Sequence, residues 1–328
     1  MAYVNVPEER IYRINLQRDS VQTMNAPAAH PTLAAPRTAG LGIALALAGS
    51  ICFSGKAILA KLMYQHGVDA VTVVAWRMLI ALPMFMLLAT WAGRGKAALD
   101  RRDLRAVVGL GFCGYYASSM LDFYGLMFIS ASLERLILYL GPTIVMALSV
   151  WWVKRPVTRR QWVAAAISYA GTAVVFGWEL RAEGDHIALG AALVFGSAVS
   201  YSIYTLASGE VVRRVGALRL TGLATSAACV FCLLHFFAVR PLGALVVPEP
   251  VFWLSVVNAV ACTVAPVLMM MMAIERIGSS LAAQIGMVGP VSTIGMGVWL
   301  LGEPFTPALF VGTVLVLAGV TLASSRRT

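Results

Sequence analysis

The chain has 328 residues, 59% of them hydrophobic and only 12% charged, with a mean hydropathy of +0.80. A soluble surface cannot be built from that composition, so lipid is the solvent for most of the molecule. The formal net charge of +10 does not point to nucleic acid, because the basic residues lie between apolar runs and not along one face.

Residues 1–37 are polar and lack an early apolar run, so they read as a disordered cytoplasmic tail with no cleavable secretory signal. Met24 is an alternative start. Ten apolar segments follow, near 39–64, 68–92, 104–128, 131–153, 159–178, 186–208, 216–239, 250–274, 278–300 and 305–325. Each is long enough to cross a hydrocarbon core of about 30 Å. Nineteen of the 25 Lys and Arg residues fall on one side if the N-terminus is inside, which puts both termini in the cytoplasm.

The chain repeats itself. A constant offset of 148 residues carries Gly42 onto Gly190, Ser54 onto Ser202, Ser132 onto Ser280, Gly141-Pro142 onto Gly289-Pro290 and Ala170-Gly171 onto Ala318-Gly319. The units are 38–178 and 186–325, with five segments each. Five is odd, so the second unit enters the membrane from the opposite side. Charge agrees: the fourth segment ends in Lys154-Arg155-Pro156, its counterpart in Gly302-Glu303-Pro304. The expected fold is an all-α polytopic membrane protein of ten transmembrane helices in two inverted five-helix repeats. Gly141-Pro142 and Gly289-Pro290 break helices at matching places, a pattern that points to a transporter site near the repeat interface, although a packing kink would look the same.

Ten spans in two such units, with Gly302-Glu303-Pro304 followed by Gly312 and Ala318-Gly319, resemble the EamA-domain family of the drug/metabolite transporter superfamily. The likeness covers roughly residues 39–325. The first unit departs from it, carrying Lys154-Arg155-Pro156 where the family often has Gly-Glu. The resemblance implies a secondary transporter of the bacterial inner membrane, typically an exporter of amino acids or similar small metabolites. It implies alternating access around a central cavity, with the fifth and tenth helices peripheral.

Ionisable groups at membrane depth are costly and are site candidates by default. The first unit supplies Lys56, Arg77, Asp122, Glu134 and Arg135; the same places in the second hold Tyr204, Thr225, Met270, Ala282 and Ala283. Since the repeat did not keep the charges, they belong to function more than to scaffold. At about 1.5 Å per residue, Lys56, Arg77, Asp122 and Tyr139 lie roughly 9–14 Å below the outer surface, where they can converge, and Glu134 lies shallower. Lys56 and Arg77 are expected to bind a carboxylate, Arg77 through two parallel bonds. Asp122 either holds the cations or binds a substrate ammonium; a self-satisfied Arg77–Asp122 pair is the plain alternative. Asp122 and Glu134 are proton-coupling candidates, and Glu134 beside Arg135 also reads as an interfacial pair. Tyr115, Tyr116, Tyr139, Tyr201, Tyr204 and Gln284 are expected to line the cavity.

Trp151 and Trp152 read as interface belt, Lys61 as a snorkelling residue and Met269–Met272 as adaptable packing. Cys229 and Cys232 have metal-like spacing but no second pair, so no metal or cofactor is expected. No nucleophile with a base and no phosphate loop is present to suggest an enzyme. Beyond lipid, the expected partner is a small-molecule substrate, with proton or exchange coupling, no nucleic acid, and a monomer as the complete unit. Efflux of lipophilic cations, and a non-transporting assembly or lipid-handling role, are the competing readings; the surplus of deep cations argues against the first.

Overall fold

The computed structural model describes residues 36–153, 158–183 and 186–324; the Lys154-Arg155-Pro156 cluster and most of the N-terminal tail lie outside them. The described residues are helical, without strands. In chain order the helices are α1 Pro36–Gln65, α2 Ala70–Gly93, α3 Arg101–Gly111, α4 Ser118–Leu126, α5 Ala131–Leu138, α6 Gly141–Val153 and α7 Arg159–Glu183. The second unit holds α8 His186–Val215, α9 Ala217–Val239, α10 Glu249–Ala259, α11 Ala265–Gly286, α12 Val288–Leu301 and α13 Pro307–Ser324. Eight helices among the described residues are long and apolar enough to cross a membrane. The other two expected spans correspond to the α3–α4 rod, whose first turn carries Arg101, Arg102 and Asp103, and to α13, whose apolar stretch Pro307–Leu322 is shorter.

The sequence offset recurs in the backbone. A π turn at Phe112–Ala117 joins α3 to α4, and another at Val260–Val264 joins α10 to α11. Between α5 and α6 the chain breaks at Tyr139 (φ −71°, ψ −8°), and between α11 and α12 at its equivalent Met287 (φ −66°, ψ −8°). The breaks thus fall two residues ahead of the Gly-Pro pairs. Each proline sits in the first turn of the helix that follows, where its missing N–H and fixed φ cost nothing. Gly278 (φ 78°, ψ 158°) interrupts α11 at the position equivalent to Ser130, which caps α5 by accepting the Leu133 N–H at 2.9 Å.

Packing is reciprocal between the halves. α1 lies antiparallel to α11, and α8 lies antiparallel to α4. A Cβ on Gly42 would come within 2.6 Å of Ile277 Cγ2, and one on the equivalent Gly190 within 2.7 Å of Ile129 Cγ2, so only glycine lets these helices approach. The Ser54 hydroxyl donates to Gly289 O (2.9 Å) and the equivalent Ser202 hydroxyl to Gly141 O (3.3 Å). These bonds satisfy carbonyls beside the two helix breaks. Equivalent helices also meet: α2 runs antiparallel to α9, with Ala89 near Gly222 and Met78 near Cys229. α7 runs antiparallel to α13, with Ala164 near Gly319 and Gly171 near Gly312. Large apolar side chains face outward, among them the equivalent Trp151 and Trp299, 81% and 82% exposed.

Candidate functional site

The five charged residues of the first unit converge in the interior. Lys56 on α1, Arg77 on α2, Asp122 on α4, and Glu134 and Arg135 on α5 are all at most 7% exposed. Charge at such depth needs partners, since isolated ions in apolar surroundings are costly. Lys56 Nζ lies 2.5 Å from Asp122 Oδ2 and 3.6 Å from Glu134 Oε1, so one ammonium serves two carboxylates. The expected alternative, an Arg77–Asp122 pair, does not form. Arg77 instead donates to the Ser119 hydroxyl at 3.0 Å, and its Nε has no hydrogen-bond partner.

Nor do Glu134 and Arg135 pair. Neighbours on a helix point about 100° apart, and the Arg135 Nε donates to Thr293 Oγ1 at 2.9 Å. Glu134, expected near the surface, is fully buried. The first turn of α5 is roofed over: Glu303 accepts from Ala131 N (2.7 Å), Ser132 N (3.2 Å) and Ser132 Oγ (2.6 Å), while Glu179 accepts from the Ser130 hydroxyl. Two carboxylates at a helix N-terminus satisfy its open N–H groups and suit the positive end of its dipole.

Cations and phenyl rings alternate through this layer. Arg77 Cζ lies 4.5 Å from the Phe123 ring centre, Lys56 Nζ 5.5 Å from the same ring and 5.7 Å from Phe53, and Arg135 Cζ 5.4 Å from Phe53. Each ring face offers a cation partial compensation for lost water. Among the described residues, neither arginine has a carboxylate within 4 Å.

Two adjoining cavities run beside this layer, of about 320 and 390 Å³. Lys56, Arg77 and Asp122 border the first; Phe53, Arg135, Tyr115, Tyr139 and Tyr201 border both; Tyr204, Met270 and Gly289 border the second. Tyr115 and the equivalent Thr263 both come from the π turns, whose wider winding turns a side chain inward and frees carbonyls. Those carbonyls find hydroxyls: Ser200 Oγ donates to Cys113 O at 2.8 Å, and Thr263 Oγ1 to Asn258 O at 2.8 Å. The Tyr115 and Tyr204 hydroxyls are 3.2 Å apart, and the ring centres of Tyr115, Tyr201 and Tyr204 lie 5.1–6.4 Å from one another.

Two residues expected on the wall lie elsewhere. Tyr116 is turned toward α9, with its hydroxyl 2.7 Å from His235 Nδ1. Gln284 is exposed, because the last turn of α11 directs Ala282 inward. Ser119, Thr225, Thr263 and Thr293 belong to the site and carried no signal, since a hydroxyl within a membrane helix usually just bonds its own backbone.

This is a multi-pass helical membrane protein with a charged, part-aromatic cavity between its halves, the layout of a small-molecule carrier. The EamA-like transporter family model matches residues 40–177 and 188–325, and the chain belongs to that family. It is 31% identical over 279 residues to the "Uncharacterized transporter YcbK" of Bacillus subtilis (strain 168), covering 81% of this chain and 87% of that protein. It is 18% identical over 283 residues to the "Uncharacterized transporter YetK" of the same organism, covering 85% and 86%. A solved structure titled "Crystal structure of protein" matches its fold with a TM-score of 0.59 at 20% identity, over 86% of this chain and 96% of that one.

Proposed function

We propose that this transporter is a secondary active carrier of small carboxylate-bearing metabolites, amino acids and similar compounds, moved outward by alternating access around the central cavity. The observation that carries the reading is the pair Arg77 and Arg135. Both are buried, both border the cavity, and neither is matched by a carboxylate within 4 Å among the described residues. Three cations face two acids in the layer, so a bound anion completes the charge balance and a bound cation worsens it. Asp122 and Glu134, sharing Lys56, are the groups through which a proton couples to the cycle.

The architecture we propose is ten spans in two inverted five-helix units, 38–178 and 186–325, complete in a monomer, with both ends in the cytoplasm of a bacterial inner membrane. The antiparallel packing of equivalent helices, α2 on α9 and α7 on α13, supports the inversion. The test is counterflow in liposomes holding purified protein. Labelled small carboxylates should exchange and lipophilic cations should not; no exchange of any solute class would end the carrier reading.

A further inference from the structure

We infer that Glu303 is the latch of the gate at its end of the molecule: it shuts that end in this state and must release α5 before the cavity can open there. This rests on the alternating-access reading above and names the contact on which the alternation turns. α12 ends at Leu301, and Gly302 in the left-handed region (φ 69°, ψ 21°) turns the chain back, with the Glu303 N–H donating to Gly297 O at 3.1 Å. A Cβ on Gly297 would lie 2.7 Å from Glu303 Oε2, so only glycine leaves the carboxylate room to lie across its own helix end. From there it accepts the Ala131 and Ser132 N–H groups and the Ser132 hydroxyl, all from the other half of the molecule. Hydrogen bonds to a carboxylate are about twice as strong as neutral ones, which suits a contact that has to hold a gate shut.

The two ends differ. Ala131, Ser132, Leu133 and Glu134 are at most 2% exposed beneath the latch, and Ala131 packs in one apolar cluster with Ala57 and Met63 of α1 and Leu301 of α12. The 390 Å³ cavity extends the other way. Along α1, Lys61 borders the pockets beside Glu303, Ser54 bonds at the helix break and Gly49 borders the cavity, so the cavity reaches away from the latch. The repeat accounts for the asymmetry: the counterpart of Glu303 is Arg155, and a guanidinium has donors but no acceptor to offer helix N–H groups. Glu134 lies three residues past Ala131 and borders neither cavity, so release of the latch is what brings water to it.

Labelling of the full chain in detergent with a membrane-impermeant maleimide tests this without a substrate. Ala131→Cys puts a thiol behind the latch, and its labelling, above that of the five native cysteines, reads how often the gate opens. Adding Glu303→Gln should raise the rate at least about tenfold, the scale of a lost bond to a charged group, while the protein still elutes as a folded species. Adding Glu179→Gln should change it by less than about threefold. Glu179 caps the same helix through Ser130 but comes from the first half, so it does not bridge the gate. Counterflow in liposomes reads the consequence for turnover. A Cβ on Gly297 lies 3.4 Å from Ser132 Oγ, close enough for a disulfide between Gly297→Cys and Ser132→Cys. Oxidation of that double variant should stop exchange of labelled small carboxylates and reduction should restore it, with the parent chain indifferent to both. Equal gains in labelling from Glu303→Gln and Glu179→Gln, or no gain from Glu303→Gln, would make Glu303 a helix cap and overturn the latch, as would undiminished exchange by the cross-linked protein. Absence of exchange by the parent chain for every solute class would end the carrier reading instead.

Discussion

Lys56 and Tyr204 occupy the same place in the repeat, as do Arg77 and Thr225, Asp122 and Met270, and Glu134 and Ala282. Around these pairs the backbone is the same: π turns, helix breaks and serine-to-carbonyl bonds recur at one offset. A scaffold that accepts a lysine, an arginine and two acids in one copy, and a tyrosine, a threonine, a methionine and an alanine in the other, does not need the charges to fold. In the reading proposed above they serve what passes through. The asymmetry is one of charge: the first copy sets its sign in the cavity, while both copies supply the aromatic wall, Phe53, Tyr115 and Tyr139 from the first and Tyr201 and Tyr204 from the second.

The comparison breaks most visibly at Arg77. Arg77→Ala should lower exchange of the transported carboxylate by at least about 100-fold with insertion intact, the scale of a lost bidentate charge contact, whereas Thr225→Ala should stay within about threefold of wild type. Counterflow in liposomes with matched protein recovery measures both; equal effects would mean that the charge is not functional. Next comes Lys56→Ala, which strands Asp122 and Glu134 in the interior and should cost about 3–5 kcal/mol. Adding Asp122→Asn and Glu134→Gln should recover most of it, because the uncompensated charges are then gone. Thermal unfolding in detergent that leaves the triple variant as weak as the single one would show that Lys56 acts through packing.

Smaller steps test the shared backbone. Gly42→Ala and Gly190→Ala each force a methyl against an isoleucine side chain at 2.6–2.7 Å. Each should cost about 1–3 kcal/mol, and the two should agree closely. A large disparity would mean that the halves do not pack alike.

Several features were legible in the sequence because they rest on position along the chain. The repeat, the burial of Lys56, Arg77 and Asp122 and the Gly-Pro breaks are of that kind. What could not be read depends on rotation about helix axes. Arg77 was the natural partner for Asp122 by depth, yet α1 turns Lys56 onto it and α2 turns Arg77 toward Ser119 and Phe123. The same blindness misplaced Tyr116 and Gln284, one helical step from inward-facing neighbours. The π turns have no composition of their own. The Glu303 clamp joins residues 171 positions apart, which no local pattern announces. That clamp is why Glu134 lies buried when its distance from the segment end suggested the surface.

The finest comparison lies in two hydroxyls. Ser54 and Ser202 make equivalent bonds to carbonyls beside the helix breaks, at 2.9 Å to Gly289 O and 3.3 Å to Gly141 O, and each also donates to the carbonyl four residues back. With a single proton shared between two acceptors, the shorter bond across the interface takes more of it. Ser54→Ala should therefore cost more than Ser202→Ala, within a range of about 0.5–1.5 kcal/mol. Unfolding midpoints of the two variants in detergent measure the difference. Equal losses would mean that the bond across the interface is no stronger at Ser54 than at Ser202, and that the two helix breaks are held alike.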